Sequence, residues 1–392
     1  MAVRTITRGD PHMRAAIAIV IASLTLGLGY GPVRAQTRGD VPALESIRMI
    51  DALIGWAVTS EQEAERFLRT TDGGIHWRDV TPFLSSGQKI SVEKVAVLTS
   101  LIAWVLSGEL FHTVDGGRTW SNEDIPGGWV QSMQFIDPRD GWIVSVQGAN
   151  MASVEQDIYG STDGGQTWIK AASTRPFEAT GSGLDLQLGL YFDFAFLNAT
   201  TGWVTGISLA EERVYLYVTH DGGRTWHLQK LPLPLLVTSP WGGVTRPPTF
   251  FTARHGILPV FYDNLNSQSY RPIASFAIFY VTNDGGMTWT STTPVSTAHS
   301  GIALDRRGQS LRTYSFVDAN HGWLADGDVL YATSDGGHHW MKISPTELFT
   351  DVRQIDFISS WVGWAVRQTS PFLLKTLDGG HTWAPVPYFV SP

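Results

Sequence analysis

The 392-residue sequence contains no cysteine. That absence removes disulfides, thiolate metal sites, a cysteine nucleophile and the acylated cysteine of a lipoprotein anchor. Charged residues are scarce at 16%, and their balance gives a net charge of −8. A sequence-wide basic footprint is therefore missing, and no nucleic-acid partner is expected. No long stretch shows apolar residues at helical spacing between caps. The apolar run from Ala15 to Leu28 is too short for a comfortable membrane span.

That run reads instead as part of an export signal. Arg14 stands in front of it, and Val33-Arg34-Ala35 followed by Gln36 supplies a small-x-small cleavage site behind it. Residues 1–35 are thus expected to be a signal peptide, with Met13 as a second candidate start and 36–44 as a linker. The mature chain is expected to begin near Gln36, to act outside the cytoplasm and to carry no membrane span.

What the sequence has in abundance is aromatic: 11% of residues, with sixteen tryptophans. Several belong to a repeated octapeptide. Thr70-Thr71-Asp72-Gly73-Gly74-Ile75-His76-Trp77 returns at 113–120, 161–168, 219–226, 282–289, 333–340 and 376–383, always as Ser/Thr-x-Asp-Gly-Gly-x-x-Trp. Its carboxylates are Asp72, Asp115, Asp163, Asp221, Asp284, Asp335 and Asp378. Ahead of each box runs a second signature: Gly55-Trp56, Gly141-Trp142, Gly202-Trp203, Gly322-Trp323 and Gly363-Trp364, with Ala103-Trp104 and Gly256-Ile257 as degenerate copies. Four residues before each of these stands Asp51, Thr99, Asp137, Asn198, Thr252, Asp318 or Ser359.

Each unit therefore reads as four short strands bounded by turn formers. Repetition of such a unit predicts an all-β fold over 45–390, a seven-bladed β-propeller with four antiparallel strands per blade. The box falls at the third-to-fourth strand turn. The blades are expected near 45–83, 90–127, 129–172, 189–231, 248–292, 310–346 and 351–388. Both end blades contain four strands of their own, so closure is expected from side-chain packing between them, with 36–44 available as an extra strand.

The box chemistry is structural on this reading. Glycine supplies the positive φ of a tight turn, and aspartate accepts the N–H groups that the turn exposes. The hydroxyl two residues earlier joins that network, and the tryptophan covers it and packs against a neighbouring blade. Calcium needs several oxygen ligands, and each turn offers one carboxylate. The histidines, His76, His338, His339 and His381 in boxes and His321 elsewhere, show no metal-ligand spacing. No metal and no cofactor are expected.

These octapeptides resemble Asp-boxes, the bacterial neuraminidase repeats. Seven of them with Gly-Trp in the second strand resemble the photosystem II stability/assembly factor family. The resemblance implies a periplasmic or lumenal propeller that helps a membrane complex assemble through an arginine-bearing surface. Here the basic residues cluster only at Arg306-Arg307. Asp-boxes also mark sialidases, but those have six blades and an Arg-Ile-Pro motif. The nearest match, Tyr270-Arg271-Pro272-Ile273, has the wrong order. Fold likeness alone is a weak warrant for function.

The box side of the units is constant in length, whereas the opposite side carries insertions at 146–157, 173–188, 232–247, 261–275 and 293–309. Loops on a rigid scaffold commonly carry function. Arg175, Trp241, Arg246, Tyr262, Asp263, Tyr270, Arg271, Arg306 and Arg307 form the candidate binding face, a composition suited to a protein partner. No catalytic residue is assigned. Carboxylates on that side, such as Glu65, Glu155, Asp157 and Asp305, cannot be paired across blades from sequence, as a glycosidase would require. The expected function is an exported, non-catalytic protein-interaction or assembly module. The alternative is a sialidase-like or other glycoside hydrolase, or a glycan-binding propeller.

Overall fold

The structure is a computed structural model, described for residues 41–59, 65–149, 154–173, 189–208, 214–234, 240–265, 272–297, 312–343, 349, 351–368 and 372–391. The expected export signal lies outside these residues. No α-helix occurs among them. Each box closes an antiparallel run of four strands. In repeat 1 these are Leu44–Met49, Gly55–Thr59, Phe67–Thr70 and His76–Asp79. Repeat 2 has Lys94–Val97, Ala103–Ser107, Glu109–Thr113 and Ser121–Glu123. Repeat 3 has Trp129–Phe135, Gly141–Ala149, Val154–Ser161 and Ile169–Ser173. Repeat 4 has Gly189–Phe196, Gly202–Ser208, Leu216–Thr219 and His227–Leu228, and repeat 5 has Thr249–Phe250, Gly256–Leu265, Pro272–Thr282 and Thr290–Ser291. Repeat 6 has Arg312–Phe316, Gly322–Asp326, Val329–Thr333 and Met341–Ile343. Repeat 7 has Val352–Phe357, Gly363–Arg367, Phe372–Thr376 and Ala384–Pro387. An all-β chain of four-stranded antiparallel sheets is consistent with a propeller.

Where they are described, three of the insertions are largely strand. Gly141–Ala149 and Val154–Ser161 stay paired out to Ala149 and Val154. The ten-residue strand Gly256–Leu265 pairs with Pro272–Thr282 as far as Leu265 and Pro272. Pro240–Thr245 is an added strand that pairs with both repeat 4 and repeat 5 and joins them into one sheet. The insertions read as loops because no turn former marks where a ladder ends. Lengthening a hairpin changes no local pattern.

Register explains the Gly-Trp signature. The glycine lies directly across from the last residue of the first strand: Phe135 from Gly141, Phe196 from Gly202, Phe250 from Gly256, Phe316 from Gly322 and Phe357 from Gly363. A Cβ on any of these glycines would sit 2.2–2.7 Å from the phenylalanine ring. Repeat 2 carries alanine at this place, and its partner is the smaller Val97. The degenerate copy is thus a matched pair.

The tryptophan after that glycine joins neighbouring repeats. It stacks on the next repeat's phenylalanine, as in Trp104 on Phe135, Trp142 on Phe196 and Trp323 on Phe357 at 3.7–3.8 Å. Its indole N–H donates to the next box's first glycine carbonyl: Trp104 to Gly164, Trp142 to Gly222, Trp323 to Gly379 and Trp364 to Gly73, at 2.8–3.3 Å. Trp56 donates instead to Thr99 O in repeat 2, and Trp203 to Gln229 Oε1 of its own repeat, whose amide reaches Gly286 O of the next box. The sequence reading gave this lateral role to the box tryptophans. They share it: Trp120 donates to Val80 O of repeat 1 and Trp289 to Gln229 Oε1 of repeat 4, while Trp77, Trp226 and Trp383 donate back to their own second glycine yet pack in clusters with the neighbouring repeat. Ile257 removes the indole from the joint between repeats 5 and 6. Phe279 fills that joint, 5.1 Å from Phe316 and 5.0 Å from Trp340.

The hydrophobic core is distributed over these joints. Every cluster spans two consecutive repeats, and one spans repeats 7 and 1 through Trp364, Val366 and Leu373 against Ile47, Ala57 and Trp77. First strands also bridge sideways, which satisfies donors that an inner sheet edge would leave unpaired. Gln134 Oε1 accepts the Phe196 N–H, and Ser315 Oγ accepts the Phe357 N–H. At the joint of repeats 7 and 1, Gln354 Oε1 accepts the Ile47 N–H at 2.8 Å and Asp356 Oδ2 accepts that of Met49 at 2.6 Å. Burial pushes the Asp356 carboxyl up to about 6, against the pull of Arg48 and of the Met49 N–H.

Of the segment 36–44 proposed as an extra strand, residues 36–40 lie outside the described residues. Leu44 already begins the first strand of repeat 1, so the end of the proposed 36–44 linker lies inside the sheet. Phe389–Ser391, at the other end of the described chain, pairs in parallel with His76–Asp79 as a fifth strand. Tyr388 OH donates to Pro42 O at 2.9 Å and reinforces the same joint.

Candidate functional site

The seven boxes share one hydrogen-bond pattern. The Ser/Thr hydroxyl donates to Asp Oδ1 at 2.8–2.9 Å. It also accepts the second glycine's N–H. Oδ1 accepts a further N–H from the residue before the tryptophan. That residue's side chain then takes Oδ2. It is a threonine hydroxyl at 2.6–2.7 Å in five boxes and a histidine Nδ1 at 2.6–2.7 Å from His76 and His339. Sequence reasoning missed this position, although threonine or histidine recurs there in every copy. Both glycines of each box have positive φ. The first donates its N–H to the preceding turn, as Gly73 does to Leu53 O and Gly379 to Trp361 O.

Both oxygens of each box carboxylate are therefore occupied. The Thr288 hydroxyl and N–H hold Asp284 down to about 2. Desolvation pushes Asp221 up, but bonds from Thr225 and Thr219 outweigh it and leave its pKa at about 2. Oδ1 is saturated by these bonds, which fix the carboxylate inside the turn. Asp221→Ala leaves the Arg224 and Thr225 N–H groups without their acceptor. It is expected to lower the unfolding free energy by about 1–3 kcal/mol in urea denaturation.

The candidate binding face divides differently from expectation. Arg175, Tyr270, Arg271, Arg306 and Arg307 lie outside the described residues. Trp241 stands in the added strand, paired with Asp263. Tyr262 and Asp263 are buried and do not belong to a surface. Tyr262 packs between repeats 4 and 5, its hydroxyl 3.1 Å from that of Tyr280, which donates to Pro232 O. Asp263 accepts the Ser275 hydroxyl at 2.7 Å. Both faces of the lengthened hairpin meet neighbouring repeats, so strand alternation offers neither residue a way out to solvent.

Arg246 fares otherwise. It follows the added strand, its N–H donates to Pro259 O, and its side chain remains half-exposed. Its charge acts on Asp193 of repeat 4 and on Arg312 and Tyr314 of repeat 6. Asp193 accepts the Ser132 hydroxyl from repeat 3 at 2.5 Å. Burial raises its pKa, while Ser132, the Phe194 N–H, Arg246 and Lys94 of repeat 2 pull it down. Burial likewise pushes Tyr314 up to about 12. Residues on the first strands of repeats 2, 3, 4 and 6 are thus coupled: Ser132 bonds Asp193, Lys94 and Arg246 act on Asp193, and Arg246 acts on Tyr314. Among the other carboxylates on this side, Asp157 pairs with Lys170 at 2.8 Å and Asp326 lies 3.7 Å from Arg312.

A family model for the BNR/Asp-box repeat matches residues 217–228. No curated protein is matched by the chain. Among solved structures, "YCF48 bound to D1 peptide" is similar with a TM-score of 0.54 at 19% identity, over 89% of this chain and 98% of that one. YCF48 from Cyanidioschyzon merolae aligns with a TM-score of 0.50 at 16% identity, over 87% and 97%. The GH74 xyloglucanase of Xanthomonas campestris aligns with a TM-score of 0.51 at 15% identity, over 89% of this chain and 54% of the enzyme. At such identities the likeness concerns the fold. The chain is thus a carrier of the BNR/Asp-box repeat, and its fold is similar to that of the YCF48 propellers, in keeping with its sequence resemblance to the photosystem II assembly factors.

Proposed function

We propose that this chain is an exported, non-catalytic, seven-bladed β-propeller that binds a segment of a protein partner or assembly intermediate. The joint of repeats 7 and 1 uses the same indole, edge and core contacts as the other joints, which supports a closed ring of seven. The signal-like segment before Gln36 supports export. The observation that carries the binding reading is the coupling of charged and polar groups from different repeats: Asp193 is bonded to Ser132 of the neighbouring repeat and acted on by Lys94 and Arg246, and Arg246 acts on Tyr314 as well. Mixed charge drawn from several repeats suits the backbone and charged side chains of an extended peptide better than a single anion. One similar solved structure, that of YCF48, is of a peptide-bound protein, which makes the reading chemically reasonable.

The test is binding of short extended peptides to the immobilised chain. Arg246→Glu is expected to weaken capture by at least about tenfold, or 1.4 kcal/mol, with an unchanged melting temperature. Undiminished capture would place the site elsewhere. Turnover of a chromogenic glycoside that disappears in Asp193→Asn would replace the reading with a glycosidase.

A further inference from the structure

We infer that the box-side turns of repeats 7, 1 and 2 form a face that docks on a zwitterionic lipid surface. Two residues after the turn former stand Trp361, Leu53 and Leu101 in these three repeats. The other four carry Arg139, Thr200, Arg254 and Asn320 at that place. Between box hydroxyl and aspartate stand Leu377 in repeat 7 and Val114 in repeat 2, where repeats 3 to 6 have polar residues. Ile75 adds a sixth apolar tip in repeat 1. All six are between 43% and 68% exposed and fall in repeats 7, 1 and 2, whereas on the same turns of repeats 3 to 6 Met287, at the place of Ile75, is the one exposed large apolar side chain among the described residues.

The sector is continuous because the repeats touch here. Lys375, two residues before Leu377, lies 3.4 Å from where a Cβ on Gly73 would be. Arg69 donates two bonds to Ser100 O, next to Leu101. Contiguous exposed apolar surface marks a partner.

Three features select lipid as that partner. The apolar side chains stand at the tips of separate turns rather than along the walls of a groove, so they fit a fluid surface. The tips also meet the demand that lipid makes on backbone. The N–H groups of Leu53, Leu101 and Trp361 are already bonded to Asp51, Thr99 and Ser359. Insertion would strip no water from them. Tryptophan with flanking lysine and arginine is the usual furniture of a membrane interface.

Charge completes the match. Arg69, Arg78, Arg118 and Lys375 offset Asp51, Asp72, Asp115 and Asp378 in this sector. On the corresponding turns of repeats 3 to 6, aspartates outnumber arginines. The apolar sector is therefore the neutral one, complementary to phosphatidylcholine headgroups and without attraction to an anionic surface.

The experiment is flotation of the purified full chain with phosphatidylcholine vesicles. The run Ala15 to Leu28 could bind lipid by itself, so the comparison is between wild type and variants carrying the same segment. Wild type is expected to float. The double variant Trp361→Ser, Leu377→Ser is expected to float at least about tenfold less, since partition follows buried apolar area. Met287→Ser, an exposed apolar change in repeat 5, is expected to float like wild type. Arg246→Glu should float normally, which keeps this result separate from the peptide reading. Failure of wild type to float overturns the proposal, as does flotation undiminished in the double variant. Loss of self-association in the double variant without wild-type flotation would assign the face to a second copy.

Discussion

Trp364→Ala is expected to lower the unfolding free energy by about 3–5 kcal/mol, as much as Trp323→Ala does. Trp364 is fully buried between repeats 7 and 1, carries Lys375 Nζ 4.6 Å above its ring and donates to Gly73 O at 3.1 Å. Trp323 occupies the same place between repeats 6 and 7 and donates to Gly379 O at 2.8 Å. The comparison carries the information. An internal joint is enforced by the short chain connection between its repeats, whereas the joint of repeats 7 and 1 brings together distant parts of the sequence. Equal losses for the two variants, read from urea denaturation with unchanged slope, indicate that the ring unfolds as one cooperative body. A much smaller loss for Trp364→Ala would mean that the first and last repeats separate easily and that the ring reading fails.

Gly322→Ala is the second large effect, at about 2–3 kcal/mol, and its remedy is present in the same chain. The added Cβ would lie 2.2 Å from the Phe316 ring, and that ring is held against Phe279 and, edge-on, against Trp340. Overpacking of this kind costs about 1–3 kcal/mol where the surroundings cannot move. Repeat 2 avoids the clash with Ala103 opposite Val97. In a Phe316→Val background, Gly322→Ala is therefore expected to cost less than about 0.5 kcal/mol, because the space is open and alanine is less flexible than glycine in a strand. Two additive losses would show that the glycine serves some purpose other than making room for the ring.

The same pair shows how much of the fold was legible in the sequence. The seven boxes and the Gly-Trp signature placed every four-stranded run, because a positive-φ turn and a close-approaching glycine leave fixed residues at fixed spacing. They could not show which box each indole bonds. Trp77 and Trp364 both pack at the joint of repeats 7 and 1, and only the structure reveals that Trp77 donates within its own box and Trp364 to the next. The extra strand Phe389–Ser391 was invisible for a related reason: a three-residue parallel pairing has no pattern of its own.

The site was less legible. Tyr262 and Asp263 looked like loop residues because insertion length was taken for exposure, yet a lengthened hairpin between covered faces buries what it adds. Arg246 kept its place for a local reason, since it stands just past the end of the added strand. Asp193, Lys94 and Tyr314 were not singled out. They lie on first strands far apart in sequence, and only the packing of neighbouring repeats brings their charges together. The alternation of polar and apolar residues there, as in Gln134-Phe135 and Asp356-Phe357, was the available signal. It marks the inner edge rather than any ligand.

The central claim is that the boxes hold the fold while binding chemistry sits apart from them, at Arg246. The most direct test measures stability and peptide capture together on Asp221→Ala and Arg246→Glu. Asp221→Ala is expected to lose about 1–3 kcal/mol of stability and keep its affinity below the melting transition. Arg246→Glu should keep its stability and lose at least about tenfold in affinity. Affinity lost in Asp221→Ala at unchanged melting temperature, with Arg246→Glu binding normally, would contradict the account.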